Sequence, residues 1–139
     1  MSSLKFETSE EETGPVFEAL LAGLKEYNQP YHPYNKKGLT LSFKDDGGTV
    51  VAGLVGATDC DWLFIRFLWV SPQMRGQDLG TKLMQEAEAE AKRRGCHSIW
   101  LDTYSFQARG FYEKLGFTVF GTLDAYPPGH QRFFLQKKL

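Results

Sequence analysis

The stretch VSPQMRGQDLGTKLM, from Val70 to Met84, constrains the fold of this 139-residue sequence more than any other part of it. It starts at the end of an apolar run, WLFIRFLWV, passes through a loop holding Gly76, and enters a segment in which Leu79, Leu83, Met84, Ala87 and Ala91 recur at helical spacing. Lys82, Gln85, Glu86, Glu90 and Arg93 occupy the opposite face, and Gly95 stands where a left-handed residue closes a helix. A strand that feeds a glycine loop and then a helix N-terminus is a place for anions, because the first helical N–H groups lack internal acceptors and the helix dipole favours negative charge. Gly76 and Gly80 let the main chain approach such a ligand, and Arg75 adds a guanidinium fork suited to phosphate. Close packing is the competing explanation for the glycines. No Gly-Lys-Ser/Thr and no G-x-G-x-x-G is present, which argues against nucleoside triphosphates and dinucleotides.

The rest of the chain reads as a mixture of strands and helices. Leu4 and Phe6 alternate with polar residues as a short strand, and Thr13 and Pro15 suit an N-cap and first helical position. The helix that follows would bury Val16, Phe17, Leu20, Leu21 and Leu24. YNQPYHPYNKKG, Tyr27 to Gly38, carries two prolines and is expected to be a loop or a broken helix. Leu39, Leu41 and Phe43 alternate as a strand, Asp45 to Gly48 supplies a hairpin turn, Val50 to Ala57 returns, and Asp59 to Asp61 turns again. Trp62 to Val70 is apolar enough to be a central strand buried on both faces, except near Arg66. After the long helix come a strand from Ser98 to Thr103, a short helix from Gln107 to Leu115 closed by Gly116, and strands over Phe117 to Leu123 and Gln131 to Leu135 around the turn YPPG. The order is that of a mixed α/β (α+β) sheet, and with no linker or repeat the chain is expected to be a single domain, 1–139.

A net charge of −1 gives no electrostatic reason to expect nucleic acid or an anionic membrane as partner. Cys60 and Cys96 have no C-x-x-C spacing and read as reduced thiols, and His97 and His130 have no partner at ligand spacing, so no metal is expected. The acidic start, MSSLKFETSEEE, is unlike a signal peptide, and no window reaches the roughly 18 apolar residues of a membrane span, so a soluble cytoplasmic protein is expected.

The loop and a second segment together resemble a known family. SFQARGFYEKLGF, Ser105 to Phe117, looks like the Asn-x-x-Ala…Phe-Tyr-x-x-x-Gly-Phe segment of the GNAT superfamily of acyl-CoA N-acyltransferases, with Ala108, Phe111, Tyr112, Gly116 and Phe117 matching and Ser105 in place of asparagine. Arg75, Leu79 and Gly80 fit that family's Arg/Gln-x-x-Gly-x-Gly/Ala motif, while Asp78 replaces the first glycine. Aspartate tolerates left-handed backbone angles better than most residues, so the turn can survive the exchange. FLWVSP, LDTYSFQA and YPPGH suggest a subgroup of small, stand-alone bacterial-type acetyltransferases.

The resemblance implies a mostly antiparallel sheet of about six to seven strands, splayed at its central strands and flanked by about three to four helices. The pantetheine arm of coenzyme A would lie in the splay against the main chain of Leu68, Trp69 and Val70, with the Val70 N–H polarising the thioester carbonyl. The pyrophosphate would rest on Arg75, Gly76, Gln77, Asp78, Leu79, Gly80 and Thr81, and Ser105 would bond the pantetheine arm. Tyr112, a phenol with an ordinary pKa of about 10, takes the family's position for the acid that protonates the departing thiolate; aromatic packing is its other explanation. Tyr31, His32, Tyr34 and Trp69 would wall the acceptor pocket, where aromatic faces favour a cationic amine, or the loop tyrosines would only pin a proline-rich loop. Glu26, Asp59 and Asp61 are candidate bases, and Asp102 would orient substrate or cap a strand end. The expected reaction moves an acetyl group from acetyl-CoA to a primary amine of a small molecule or peptide by direct attack through a tetrahedral intermediate, in a monomer or homodimer without a metal. A non-catalytic acyl-CoA-binding or regulatory domain is the alternative.

Overall fold

The computed structural model describes residues 3–139 and divides into two compact units, one ending at Tyr34 and the other spanning Asn35–Leu139. In the first, α1 covers Pro15–Asn28, entered through Gly14 at φ 104° and with proline at its first position. None of its residues is buried, and Val16 and Leu20 are each 70% exposed, so the apolar stripe expected to be covered is not. A unit with a single helix has no second layer to pack against. The stretch around Leu4 and Phe6 forms no strand: two alternating apolar residues without a neighbour strand have nothing to bond to. Beyond Asn28 the chain turns, with the N–H groups of Tyr31 and His32 donating to the Asn28 carbonyl, and no helix continues through the prolines.

The second unit is a sheet with helices. Its described strands are β1 (Lys37–Lys44), β2 (Val50–Asp59), β3 (Trp62–Val70), β4 (Ser98–Tyr104), β5 (Thr118–Asp124) and β6 (Gln131–Lys138), in spatial order β1-β2-β3-β4-β6-β5. Every pairing is antiparallel except β3 with β4. The β1–β2 turn is held by Asp45, whose Oδ1 accepts from the N–H groups of Gly47 and Thr49, both at 2.9 Å. Cys60 and Asp61, both at positive φ, make the two-residue β2–β3 turn, whose twist matches the strands it joins.

Helices α2 (Leu79–Arg93) and α3 (Arg109–Lys114) belong to the same unit. Leu79, Leu83, Met84, Ala87 and Ala91 of α2 are buried in one cluster with Leu54, Leu63, Ile65, Ile99, Leu101 and Leu135 from the strands, so the helical and alternating periodicities meet on one face of the sheet. Gly95, at φ 81°, ends α2, with the Cys96 N–H donating to the Ala91 carbonyl. Arg94 ties that end to β1 and β2: its guanidinium donates to the carbonyls of Lys37 and Gly38 and to Thr58 Oγ1, each at 3.1 Å, and to Glu90.

Candidate active site

The site begins with a short pairing. β3 and β4 are matched only from Trp62–Ser98 to Ile65–Leu101; beyond Ile65 they separate, while β3 stays paired to β2 and β4 to β6. The departure coincides with a bulge, since Val55 faces Phe67 and Gly56 faces Ile65, leaving Arg66 as the extra residue. The distal half of β3 was expected to be buried on both faces; instead Phe67 is 55% and Trp69 49% exposed on one face, while Leu68 and Val70 on the other are half-buried.

The ladder tells which main-chain groups face the gap. The Ser71 N–H donates to the Val51 carbonyl at 2.8 Å, which makes Ala52 and Val70 a non-hydrogen-bonded pair. The N–H and C=O of Val70 therefore point away from β2 into the gap, those of Leu68 do the same by alternation, and those of Trp69 turn to β2. On the other wall the Ser105 N–H donates to the Gln131 carbonyl at 2.8 Å, so the Tyr104 N–H also faces the gap, where Gln107 Oε1 accepts it at 3.0 Å. Thr103 Oγ1 donates to the same oxygen at 3.0 Å.

Two clefts share Leu68, Gln107, Ala108 and Phe111 in their linings and so adjoin one another. The first, about 670 Å³, is lined by Leu68, Trp69, Val70, Met74, Arg75, Gly76, Asp78, Leu79, Gly80 and Thr81 together with Phe106 and the shared α3-side residues. The first intrahelical bond of α2 runs from the Lys82 N–H to the Asp78 carbonyl at 3.0 Å, and no side chain caps the helix. The N–H groups of Leu79, Gly80 and Thr81 thus reach this cleft without helical acceptors. Asp78 sits at φ 58°, ψ 25°, in the left-handed region, so the turn that a glycine would serve is made with aspartate. A Cβ at Gly80 would lie 3.3 Å from Phe111 Cζ, which explains the absence of a side chain where α2 meets α3. Free N–H groups, a guanidinium and a bare backbone suit a pyrophosphate, and the outward-facing groups of Leu68 and Val70 suit an extended amide chain such as pantetheine.

The second cleft, about 550 Å³, lies in the splay and is lined by Phe64, Arg66, Phe67, Asp102, Thr103, Tyr104, Tyr112 and Arg132 besides the shared residues. Tyr112 is 8% exposed, in edge contact with Phe111 and Phe117. Burial, aided by the nearby Asp102 carboxylate, pushes its phenol up to about 12, so it keeps its proton throughout the neutral range. Asp102 accepts from Arg132 Nε at 2.9 Å, and the Arg132 guanidinium lies over the rings of Tyr126 and Phe134, 5.1 Å from each centroid.

Of the residues singled out from sequence, Leu68, Trp69, Val70, Arg75, Gly76, Asp78, Leu79, Gly80 and Thr81 line one cleft and Tyr112 the other. Gln77 lies outside both linings, its Nε2 3.9 Å from Met74 Sδ. Ser105 is also outside; its Oγ accepts from the Gln131 N–H at 3.0 Å and lies 3.2 Å from His130 Nδ1, holding the start of β6. Asp59 ends β2 and Asp61 lies in the β2–β3 turn, at the end of β3 opposite Val70. Tyr31, His32 and Tyr34 belong to the first unit, where Lys25 Nζ lies 4.0 Å from the Tyr34 ring centroid. Sequence reasoning missed Gln107, whose role depends on β4 ending where it does, and Arg66 and Arg132, of which Arg66 was visible as the one charge in WLFIRFLWV. No helix among the described residues is long and apolar enough to cross a membrane.

Comparison with known proteins gives a consistent set of relatives. Residues 6–117 match the model of the Acetyltransferase (GNAT) family. An acetyltransferase of Agrobacterium fabrum is 38% identical over 104 residues, 75% of this chain and 76% of its own. Blasticidin-S acetyltransferase of Streptomyces morookaense is 39% identical over 93 residues, 66% of this chain and 68% of its own. The crystal structure of an acetyltransferase from Bacillus cereus superposes with a TM-score of 0.83 at 32% identity, covering 94% of this chain and 98% of that one.

Proposed function

The chain belongs to the acetyltransferase (GNAT) family, and from that premise we propose that it transfers an acetyl group from acetyl-CoA to a primary amine of a small molecule or peptide, with residues 1–139 working as one transferase domain. The observation that carries this reading is the unpaired stretch of β3, whose Leu68 and Val70 main-chain groups face the gap, where two adjoining clefts are lined by Tyr112 and by the N-terminus of α2.

Acetyl-CoA supplies the acetyl thioester: the C–N bond forms first as the amine adds to its carbonyl, giving a tetrahedral intermediate, and the C–S bond breaks when that intermediate collapses and the thiolate leaves. The Val70 N–H donates to the carbonyl oxygen as negative charge gathers there, an oxyanion contact that needs no particular side chain. Arg75 and the N–H groups of Leu79, Gly80 and Thr81 hold the pyrophosphate and fix the carbonyl at Val70. Tyr112 supplies its phenolic proton to the departing sulfur, and the proton lost by the amine nitrogen returns to the phenolate or passes to water. The phenol is fully protonated at neutral pH, as the role requires, although its raised pKa makes it a weaker donor than an ordinary tyrosine. The desolvation that raises the phenol raises a thiolate beside it too, which keeps the transfer from being steeply uphill.

Calorimetric titration with acetyl-CoA, followed by thiol release against a panel of primary amines, tests the proposal. Micromolar binding with amine-dependent thiol release is expected. Binding without release from any amine would remove the transferase reading, and no binding would mean that Asp78 has spoiled the pyrophosphate cradle.

A further inference from the structure

Resting on the transferase reading above, we propose that the acceptor amine also carries a carboxylate, several bonds from its nitrogen, and that Arg66 binds it. Arg66 is the extra residue of the β3 bulge, directly after the last β3–β4 pair, Ile65–Leu101, so it stands at the point where the gap opens. A bulge re-aims the side chain it inserts, and this one lines the splay cleft with Asp102, Tyr112 and Arg132. Arg66 is exposed at the mouth of that cleft, and among the described residues its guanidinium takes part in no ion pair or hydrogen bond; it lies 6.0 Å from the centroid of the Phe67 ring.

Charge in the cleft decides what such a group is for. The lining holds two guanidinium groups, Arg66 and Arg132, and one carboxylate, Asp102. Asp102 is already bound by Arg132 at 2.9 Å, which leaves one positive charge over. A polyamine would bring further positive charge to that place, whereas a single carboxylate neutralises it and fits the planar fork of a guanidinium in bidentate fashion. A phosphate dianion would overshoot the surplus.

The spacing sets the length of the acceptor. Val70 is four strand positions on from Arg66, about 13 Å of main chain at roughly 3.3 Å per residue, of which the long arginine side chain can span part. Amine and carboxylate are therefore several bonds apart, as in an ω-amino acid or a short peptide, and not on one carbon as in a free α-amino acid.

The test compares acceptors of matched length at saturating acetyl-CoA: 6-aminohexanoate, its primary amide, and 1,5-diaminopentane, read as kcat/KM from thiol release. The acid is expected to exceed both others by at least about tenfold, the size of a single charge-assisted contact. Arg66→Gln should bring the ratio of acid to amide close to one and Arg66→Lys should keep part of it, with acetyl-CoA binding by calorimetry reporting that both variants are folded. Equal use of acid and amide, preference for the diamine, or a preference that survives in Arg66→Gln overturns the assignment. Absence of thiol release from all three also overturns it, while the transferase reading stands or falls separately on the calorimetric titration and the wider amine panel.

Discussion

Replacing Tyr112 by phenylalanine removes one oxygen and leaves the ring that packs between Phe111 and Phe117. No hydrogen bond among the described residues involves that hydroxyl, so the fold loses no protein contact with it. The magnitude follows from the two acids concerned. General acid catalysis contributes on the order of 10²–10⁴ when the acid is well matched to its task. Here a phenol raised to about 12 gives its proton to a thiolate whose conjugate acid has an ordinary pKa of about 8.5, a mismatch that desolvation of the sulfur only partly closes. The contribution therefore falls below that range: about 30-fold in the acyl-transfer step, or ~2 kcal/mol of barrier. Single-turnover thiol release isolates that step from product release, and calorimetry should find acetyl-CoA affinity within about twofold of wild type, since the oxygen is asked to act only on the charge that develops at sulfur. An unchanged single-turnover rate would refute the acid role. Affinity and rate falling together would assign Tyr112 to packing.

Arg75→Ala should weaken acetyl-CoA binding about tenfold and make it less salt-dependent, with turnover at saturation little altered; unchanged affinity would take Arg75 out of the pyrophosphate site. Ultraviolet titration of the six tyrosines, compared with Tyr112→Phe, should assign a component with midpoint near pH 12 to Tyr112. The same shift has a consequence for folding. Because the folded pKa lies above the unfolded value of about 10, the stability linked to this proton is fully present below pH 10 and declines as pH rises towards 12, by about 3 kcal/mol in all. Denaturant melts at pH 9 and pH 11 should show about half of that loss, roughly 1.3 kcal/mol, in the wild type and a smaller one in Tyr112→Phe.

Much of the second unit was legible because its signals are local. The spacing of Leu79, Leu83, Met84, Ala87 and Ala91 and the glycine at position 95 define α2 without reference to any partner, and Asp45–Gly48 and Asp59–Asp61 announce their turns through residue type. Asp78 in left-handed angles follows from steric rules known in advance. Features that depend on distant pairing were not legible. WLFIRFLWV read as buried on both faces because periodicity counts apolar residues and cannot register which face stays uncovered, or that β4 leaves β3 after Ile65. Leu4 and Phe6 carried the alternation of a strand with no ladder to join, and the apolar stripe of α1 carried the pattern of a buried helix although its own unit offers nothing to cover it. The pairing of Asp102 with Arg132, 30 positions away, needed the β4–β6 register to appear.

The short β3–β4 junction also bears on how the protein avoids a hazard common to sheets. Exposed strand edges invite other chains to pair with them, and proteins usually blunt such edges with charges, bulges or covering segments. Besides the outer edges β1 and β5, two open edges lie inside the sheet, between the half-sheets β1-β2-β3 and β4-β6-β5, stitched together at one end by four residue pairs. A slot of that kind sorts visitors by thickness: one extended chain can slide in and bond the main chain, but a foreign strand already joined to a sheet is too wide to enter. A cosubstrate bound there as proposed would be recognised as a strand is, without the same surface being open to strand-by-strand association.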